Sequence, residues 1–410
     1  MEWIIVGIVI LVYVFQLFLG FINYRQSNLP IPENVKDIYD VDAYQKWRKY
    51  QAEVFRFKLI VKTVKFFLLI AFLMFGVFAL FQEWSEQWTN SVILQTLLFL
   101  GLYQFIVFMI SIPFNYYSQF VIEDKFGFNK TSLRTFVSDT VKALLLIIVL
   151  GGGVLALLNW VYLVFETRIF GFIAVSWVVL MALILIFSYL NTRVFVKLFN
   201  KLTPVEDGEL KEKIENLAKE VGYKIRGIYI MDASKRSTKL NAFFSGFGKN
   251  KEVVLFDTLV DKLSDEEVLS VLAHELGHAV NKDVTKLLIQ QAFMFAVYGV
   301  MIAAILQSDA LAQAFGLTNA TFGFSIVLFM IFLSPLDLIL SIPSNMISRR
   351  FEFNADAFSA KYVDKKHMIS ALKVLTNENF SDLNPHPLYV LMYYTHPPIS
   401  DRIAALKQLV

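Results

Sequence analysis

The stretch Ala143-Leu-Leu-Leu-Ile-Ile-Val-Leu-Gly-Gly-Gly-Val-Leu-Ala-Leu-Leu-Asn-Trp-Val-Tyr-Leu-Val-Phe165 carries no charge from end to end. A helix needs about 20 such residues to cross the hydrocarbon core of a bilayer, so this one segment places the chain in a membrane. Six more runs resemble it: Trp3 to Ile22, Leu59 to Phe81, Val92 to Phe114, Phe170 to Leu190, Leu287 to Leu306 and Phe322 to Ile342. Lys62 and Lys65 stand near one end of the second, where they can snorkel to the headgroups, and Pro335, Asp337 and Pro343 predict a break in the seventh. The composition agrees. Of 410 residues 56% are hydrophobic and 18% charged, and the mean hydropathy is +0.55. A soluble fold has no way to bury that much apolar surface. No cysteine is present, which excludes disulfides, thiolate zinc sites and a thiol nucleophile. A net charge of +3 gives no reason to expect nucleic acid as a partner, whereas membrane lipid is required.

Lys and Arg mark the cytoplasmic side of a membrane protein. Arg25, Lys36, Lys46, Arg48, Lys49, Arg56 and Lys58 follow the first span, and Lys125, Lys130, Arg134 and Lys142 follow the third. The stretches Gln82 to Ser91 and Gln307 to Thr321 hold neither residue, and the turn between spans four and five holds only Arg168. The alternation puts the N-terminus outside and the C-terminus, with the segment Val194 to Lys286, in the cytoplasm. The first run is too long for a signal-peptide core, lacks a basic flank and ends at Leu19-Gly20-Phe21-Ile22, which is no small-residue cleavage site.

Two regions read as water-soluble structure. A charged helix is expected from Gly208 to Val221, then strands at Ile225 to Met231, Leu240 to Phe247 and Glu252 to Phe256, the last two joined by the hairpin signal Gly248-Lys249-Asn250-Lys251. Ser264 with Glu267 forms a capping box that starts a helix running past His278. The tail from Ser348 reads as two or three further helices, interrupted at Thr395-His396-Pro397-Pro398.

Inside the capped helix lies His274-Glu275-Leu276-Gly277-His278. Histidines four apart project from one helix face, so both imidazoles can bind one zinc ion while Glu275 between them reaches a water and acts as a base. With five histidines in the chain, chance would produce this pattern about 0.005 times. A catalytic zinc takes a third protein ligand. Glu352 in Arg349-Arg350-Phe351-Glu352-Phe353-Asn354-Ala355-Asp356 would complete the set, and Asp356, one turn on, could accept the free N–H of a ligand histidine. Asp337, a carboxylate inside a span, is the rival ligand. His396 could donate to an oxyanion, and Arg402 follows six residues later. Asn241-Ala242-Phe243 sits on a strand able to pair with an extended substrate. His367 and His386 read as surface residues.

These motifs resemble the type I CAAX prenyl endopeptidases, integral-membrane zinc metalloproteases of the gluzincin type. Phe120-Val-Ile-Glu-Asp-Lys-Phe-Gly-Phe-Asn-Lys-Thr131 is similar to that family's N-terminal region, so the resemblance covers nearly the whole chain. It implies an all-α membrane protein with seven transmembrane helices around an intramembrane chamber, and a cytoplasmic zinc metalloprotease domain holding a small β-hairpin or sheet. It also implies one zinc ion on His274, His278 and Glu352, catalysis by Glu275, and contacts to substrate or transition state from His396 and Arg402, with Asn241 and Ala242 on the substrate side. The expected substrate is a peptide or protein prenylated at its C-terminus, and the expected location is a bacterial inner membrane or the endoplasmic reticulum membrane. Residues 1–196 form the membrane region with five spans, and residues 197–410 the metallopeptidase region with spans six and seven. An intramembrane site-2-type or broad quality-control protease is the alternative enzyme. A transporter or receptor with a structural zinc is the alternative outside enzymes, but a structural site needs a fourth protein ligand and the sequence offers none.

Overall fold

The computed structural model of the protein describes residues 1–27, 29–245 and 251–409. Its membrane part consists of α1 (Glu2–Gln26), α2 (Val41–Met74), α3 (Val77–Trp88), α4 (Val92–Phe126), α5 (Leu133–Val164) and α6 (Ile169–Phe199), joined later in the chain by α9 (Asp283–Leu306) and α10 (Phe322–Tyr362). Six of these are long and apolar enough to cross a bilayer, and the bent pair α2 and α3 makes a seventh crossing when taken as one span. The run Leu59 to Phe81 is therefore not a single straight helix. It starts at Val41, well before the apolar stretch, and turns by 66° after Met74. Gly76 makes that turn with φ +67°, a backbone that side chains with a Cβ rarely adopt.

The seventh run departs from expectation in the opposite sense. Pro335 and Pro343 lie inside α10 without ending it, and the helix continues unbroken for 41 residues to Tyr362. Membrane helices tolerate proline because neighbouring helices and local adjustments satisfy the freed backbone groups. Glu352 and Asp356 thus stand on the same helix that crosses the membrane.

Each span packs on the next, from α1 through α6 and then α9 and α10, and the ring closes where α10 meets α1. Buried apolar side chains gather at its two ends. One end holds an aromatic cluster around Phe72, Phe78, Phe81, Phe99 and Phe324. The other holds the sheet region and the tail. Among the described residues the span midsections contribute no comparable cluster, and Phe105, Met109, Leu145, Val178 and Leu185 there are exposed.

The soluble part comprises α7 (Glu209–Glu220), α8 (Asp265–Val280) and a sheet of β1 (Leu202–Pro204), β2 (Ile225–Met231), β3 (Ala242–Ser245) and β4 (Lys251–Phe256) in the order β1-β2-β4-β3. β4 runs parallel to β2 and antiparallel to β3. It occupies the middle because Val253, Val254 and Leu255 are apolar without alternation and buried on both faces. The β3–β4 pairing matches the expected hairpin, although its turn at Gly248-Lys249-Asn250 lies outside the described residues. One sheet face packs on α7 and α8 through Ile214, Leu217, Val268, Leu272 and Leu276. The tail forms α11 (Lys365–Glu378), α12 (Pro387–Tyr393) and α13 (Ile399–Gln408), with Thr395 to Pro398 between the last two.

Candidate metal centre

α8 begins at the capping box, where Glu267 N donates to Ser264 Oγ and the Glu267 carboxylate accepts from Ser264 N at 2.8 Å. Three acidic residues fill its first turn, where the helix dipole favours negative charge. Gly277 decides what the other end can touch. A Cβ built on it would lie 3.1 Å from Ala355 Cα and from Phe358 Cβ on α10, so a larger residue would push the two helices a few tenths of an ångström apart. Ser359 Oγ adds a hydrogen bond to Ser270 O at 2.7 Å.

That contact aims three side chains at one point. His274 Nε2 and His278 Nε2 are 3.2 Å apart, and the Glu352 carboxylate oxygens lie 3.4 Å and 3.3 Å from them. Two ligands each about 2.0–2.1 Å from a shared tetrahedral ion stand at about this separation. Glu352 Oε2 is buried without a hydrogen bond, an arrangement that a metal ion would satisfy. His274, His278 and Glu352 are thus a group able to hold one.

Behind each imidazole stands a carboxylate. Asp356 Oδ1 is 2.8 Å from His274 Nδ1, and Asp283 Oδ2 is 3.1 Å from His278 Nδ1. Both acids are buried, at 2% exposure each. Burial alone would hold His274 neutral, but its bonds to Asp356 and Glu352 outweigh that and raise its pKa to about 9. Glu352, Asp356 and Asp283 thus set three carboxylates around the two imidazoles. Arg402 is buried too, and its guanidinium grips Asp356 at 2.8 Å and 2.6 Å and approaches Glu352 to 3.5 Å.

A cavity of about 340 Å³ opens on this group, lined by Glu275, His278, Glu352 and His396 on its polar side and by Phe244, Val284, Leu287 and Phe351 on its apolar side. Burial pushes the Glu275 carboxyl above its ordinary range, which suits a proton acceptor working near neutral pH. His396 Nε2 lies 3.3 Å from Glu352 Oε1 with most of its ring exposed to the cavity side. Arg402 does not line the cavity; it sits behind Asp356 and Glu352. Asn241 and Ala242 lie where β3, the edge strand, begins, and the Asn241 side chain accepts from Ala242 N at 2.9 Å.

Asp337 hydrogen-bonds Tyr298 on α9 and lies 15 residues before Glu352 on one helix, about 22 Å along its axis. It cannot share an ion with His274. His386 caps α12, accepting from Leu388 N at 3.1 Å. Asp283 escaped the sequence reading. Its role depends on the turn after α8, where Lys282 takes φ +56° and swings Asp283 back onto His278. Carboxylates a few residues beyond a histidine pair were the available signal.

Two histidines and a glutamate placed to hold one ion beside a cavity, with the glutamate on a helix that crosses the membrane, define a membrane metalloendopeptidase. The chain belongs to peptidase family M48, whose model matches residues 204–410. A second model, for the CAAX prenyl protease N-terminal region with five membrane helices, matches residues 20–201. Among its relatives, CAAX prenyl protease 1 of Saccharomyces cerevisiae is 32% identical over 99% of this chain and 95% of that protein. A CAAX prenyl protease 1 homolog of Arabidopsis thaliana is 32% identical over 98% and 96%. The crystal structure of S. mikatae Ste24p superimposes with a TM-score of 0.93 at 29% identity, covering 99% of this chain and 98% of that one.

Proposed function

We propose that this protein is a zinc endopeptidase that cleaves the C-terminus of prenylated CAAX proteins. The observation that carries the chemistry is the convergence of His274, His278 and Glu352 within reach of one ion beside Glu275. When bound there, zinc supplies a Lewis acid for the scissile carbonyl and makes a nearby water acidic. Asp356 and Asp283 accept the Nδ1 protons, which leaves both Nε2 lone pairs facing the ion. Glu275 takes the proton from water and returns it to the leaving amine. His396 donates to the oxygen that gains charge as the water adds. Arg402 acts through Asp356 and Glu352, holding both carboxylates in place.

The relatives, CAAX prenyl proteases that match nearly the full chain, support this substrate class. A closed helical ring suits a lipid tail, since each methylene moved out of water contributes about 0.8 kcal/mol. The peptide itself would lie against β3, whose outer edge no other strand covers among the described residues. We place the N-terminus outside and the centre in the cytoplasm from the Lys and Arg alternation, and divide the chain into a membrane region, 1–196, and a peptidase region, 197–410. α8 is no candidate span, which weighs against a site-2-type enzyme with its metal helix inside the bilayer.

The test is to incubate detergent-purified protein with a farnesylated CAAX peptide, its unprenylated twin and an unrelated unfolded protein, each with and without chelator. Preferential cleavage of the farnesylated peptide, stopped by chelator, is expected. Equal cleavage of all three would replace the CAAX reading with broad quality control.

A further inference from the structure

The five residues that lead into β3, Arg236 to Leu240, take no place in the sheet ladder. Several of their hydrogen bonds go instead to the membrane half of the chain. Arg236 O accepts from Lys130 N at 3.0 Å and from Thr131 Oγ1 at 3.1 Å. Asn129 and Ser237 form an isolated antiparallel bridge, and Thr238 N donates to Phe128 O at 3.2 Å. Gly127, with φ +89°, makes the turn at the end of α4 that sends residues 128–131 alongside.

Side chains repeat the pattern. The Arg236 guanidinium grips Asp139 of α5 at 2.8 Å and 3.2 Å. Lys239 bonds Glu123 at 2.9 Å and lies 4.7 Å over the Phe128 ring. The other Glu123 oxygen accepts from Tyr50 of α2 at 2.7 Å. Asn379 then clamps the main chain of Leu240 on both sides, at 2.8 Å and 3.1 Å. The ties of Arg236 to Lys239 join the two halves of the protein at this short stretch, and Asn379 holds its far end within the peptidase half. That stretch ends where the strand bordering the metal cavity begins, and Phe244 of the strand lines the cavity.

We propose that residues 123–131 form a strut that sets the position of the free edge of β3, making Glu123 and Lys239 positioning residues for substrate although neither touches the cavity. The inference rests on the reading of β3 as the substrate strand. Through the strut, the cytoplasmic ends of α2, α4 and α5 fix the distance between that strand and the metal centre. A change at Glu123 or Lys239 then shifts the edge against which the peptide aligns, and leaves His274, His278 and Glu352 where they are.

The experiment uses the full-length purified protein, a farnesylated CAAX peptide and a twin carrying N-methyl groups on the backbone upstream of the scissile bond. Glu123→Gln and Lys239→Met should each raise KM about tenfold, the effect of one lost charge-assisted hydrogen bond, with kcat within about twofold of wild type. Metal content and thermal midpoint should stay at wild-type values, and Lys239→Arg should keep the low KM. Wild type should cut the N-methylated twin poorly, and that discrimination should shrink in the two variants. Unchanged KM in both variants overturns the strut, as does a loss of kcat that tracks a falling thermal midpoint. Equal cleavage of the N-methylated twin by wild type removes the substrate-strand reading itself, and the strut with it, whatever the variants do.

Discussion

At one end of the helical ring Phe72, Phe78, Phe81, Phe99 and Phe324 meet mostly edge to face or tilted, with Phe72 and Phe78 at 5.7 Å and Phe99 and Phe324 at 6.5 Å. At the other end, beside the apolar cores of the sheet and the tail, His274, Glu352, Asp356 and Arg402 are each tied to another by a named bond. The first end closes by shape and tolerates apolar side chains of similar volume. The second closes by pairing donors with acceptors, where each change leaves a partner buried and alone. Apolar packing supports both ends, whereas the chemistry is confined to the polar group, so substitutions in the aromatic cluster and in that group should fail differently.

The largest expected effect is at Glu275. Glu275→Gln removes the base without removing a ligand, so turnover should fall by about 10²–10⁴-fold while the metal stays, as measured by peptide cleavage and metal analysis on the same preparation. Next comes Asp356→Asn, which weakens both the His274 bond and the Arg402 fork. Chelator competition should show metal affinity lower by about 10–100-fold, the usual cost of losing such an outer partner. Phe78→Ala probes the other end: it should destabilise the protein by about 3 kcal/mol or more, read as a lower thermal midpoint in detergent, while the folded fraction keeps metal and turnover near wild type. A Phe78→Ala protein that stays stable but loses metal would break the division between the ends.

How much the sequence disclosed follows the same division between local and distant contacts. The spans, the capping box and the two histidines on α8 were legible because each is set within a few residues, by apolar length or by helical spacing. Glu352 and Asp356 were legible as carboxylates one turn apart. What was hidden depended on partners far along the chain. The continuity of α10 was hidden because proline reads as a break in isolation, and only packing in the ring overrides it. Asp283 was hidden because its contact requires the left-handed turn at Lys282. β1, and the parallel register of β2 on β4, were hidden because they join segments with no local signal linking them.

The central claim is that a helix crossing the membrane also completes the metal centre, through Glu352 and not through Asp337. Metal analysis of purified Glu352→Ala and Asp337→Ala addresses it directly. One ion per chain in Asp337→Ala, with the metal lost from Glu352→Ala, is the predicted result. Metal retained in Glu352→Ala and lost from Asp337→Ala would contradict the account.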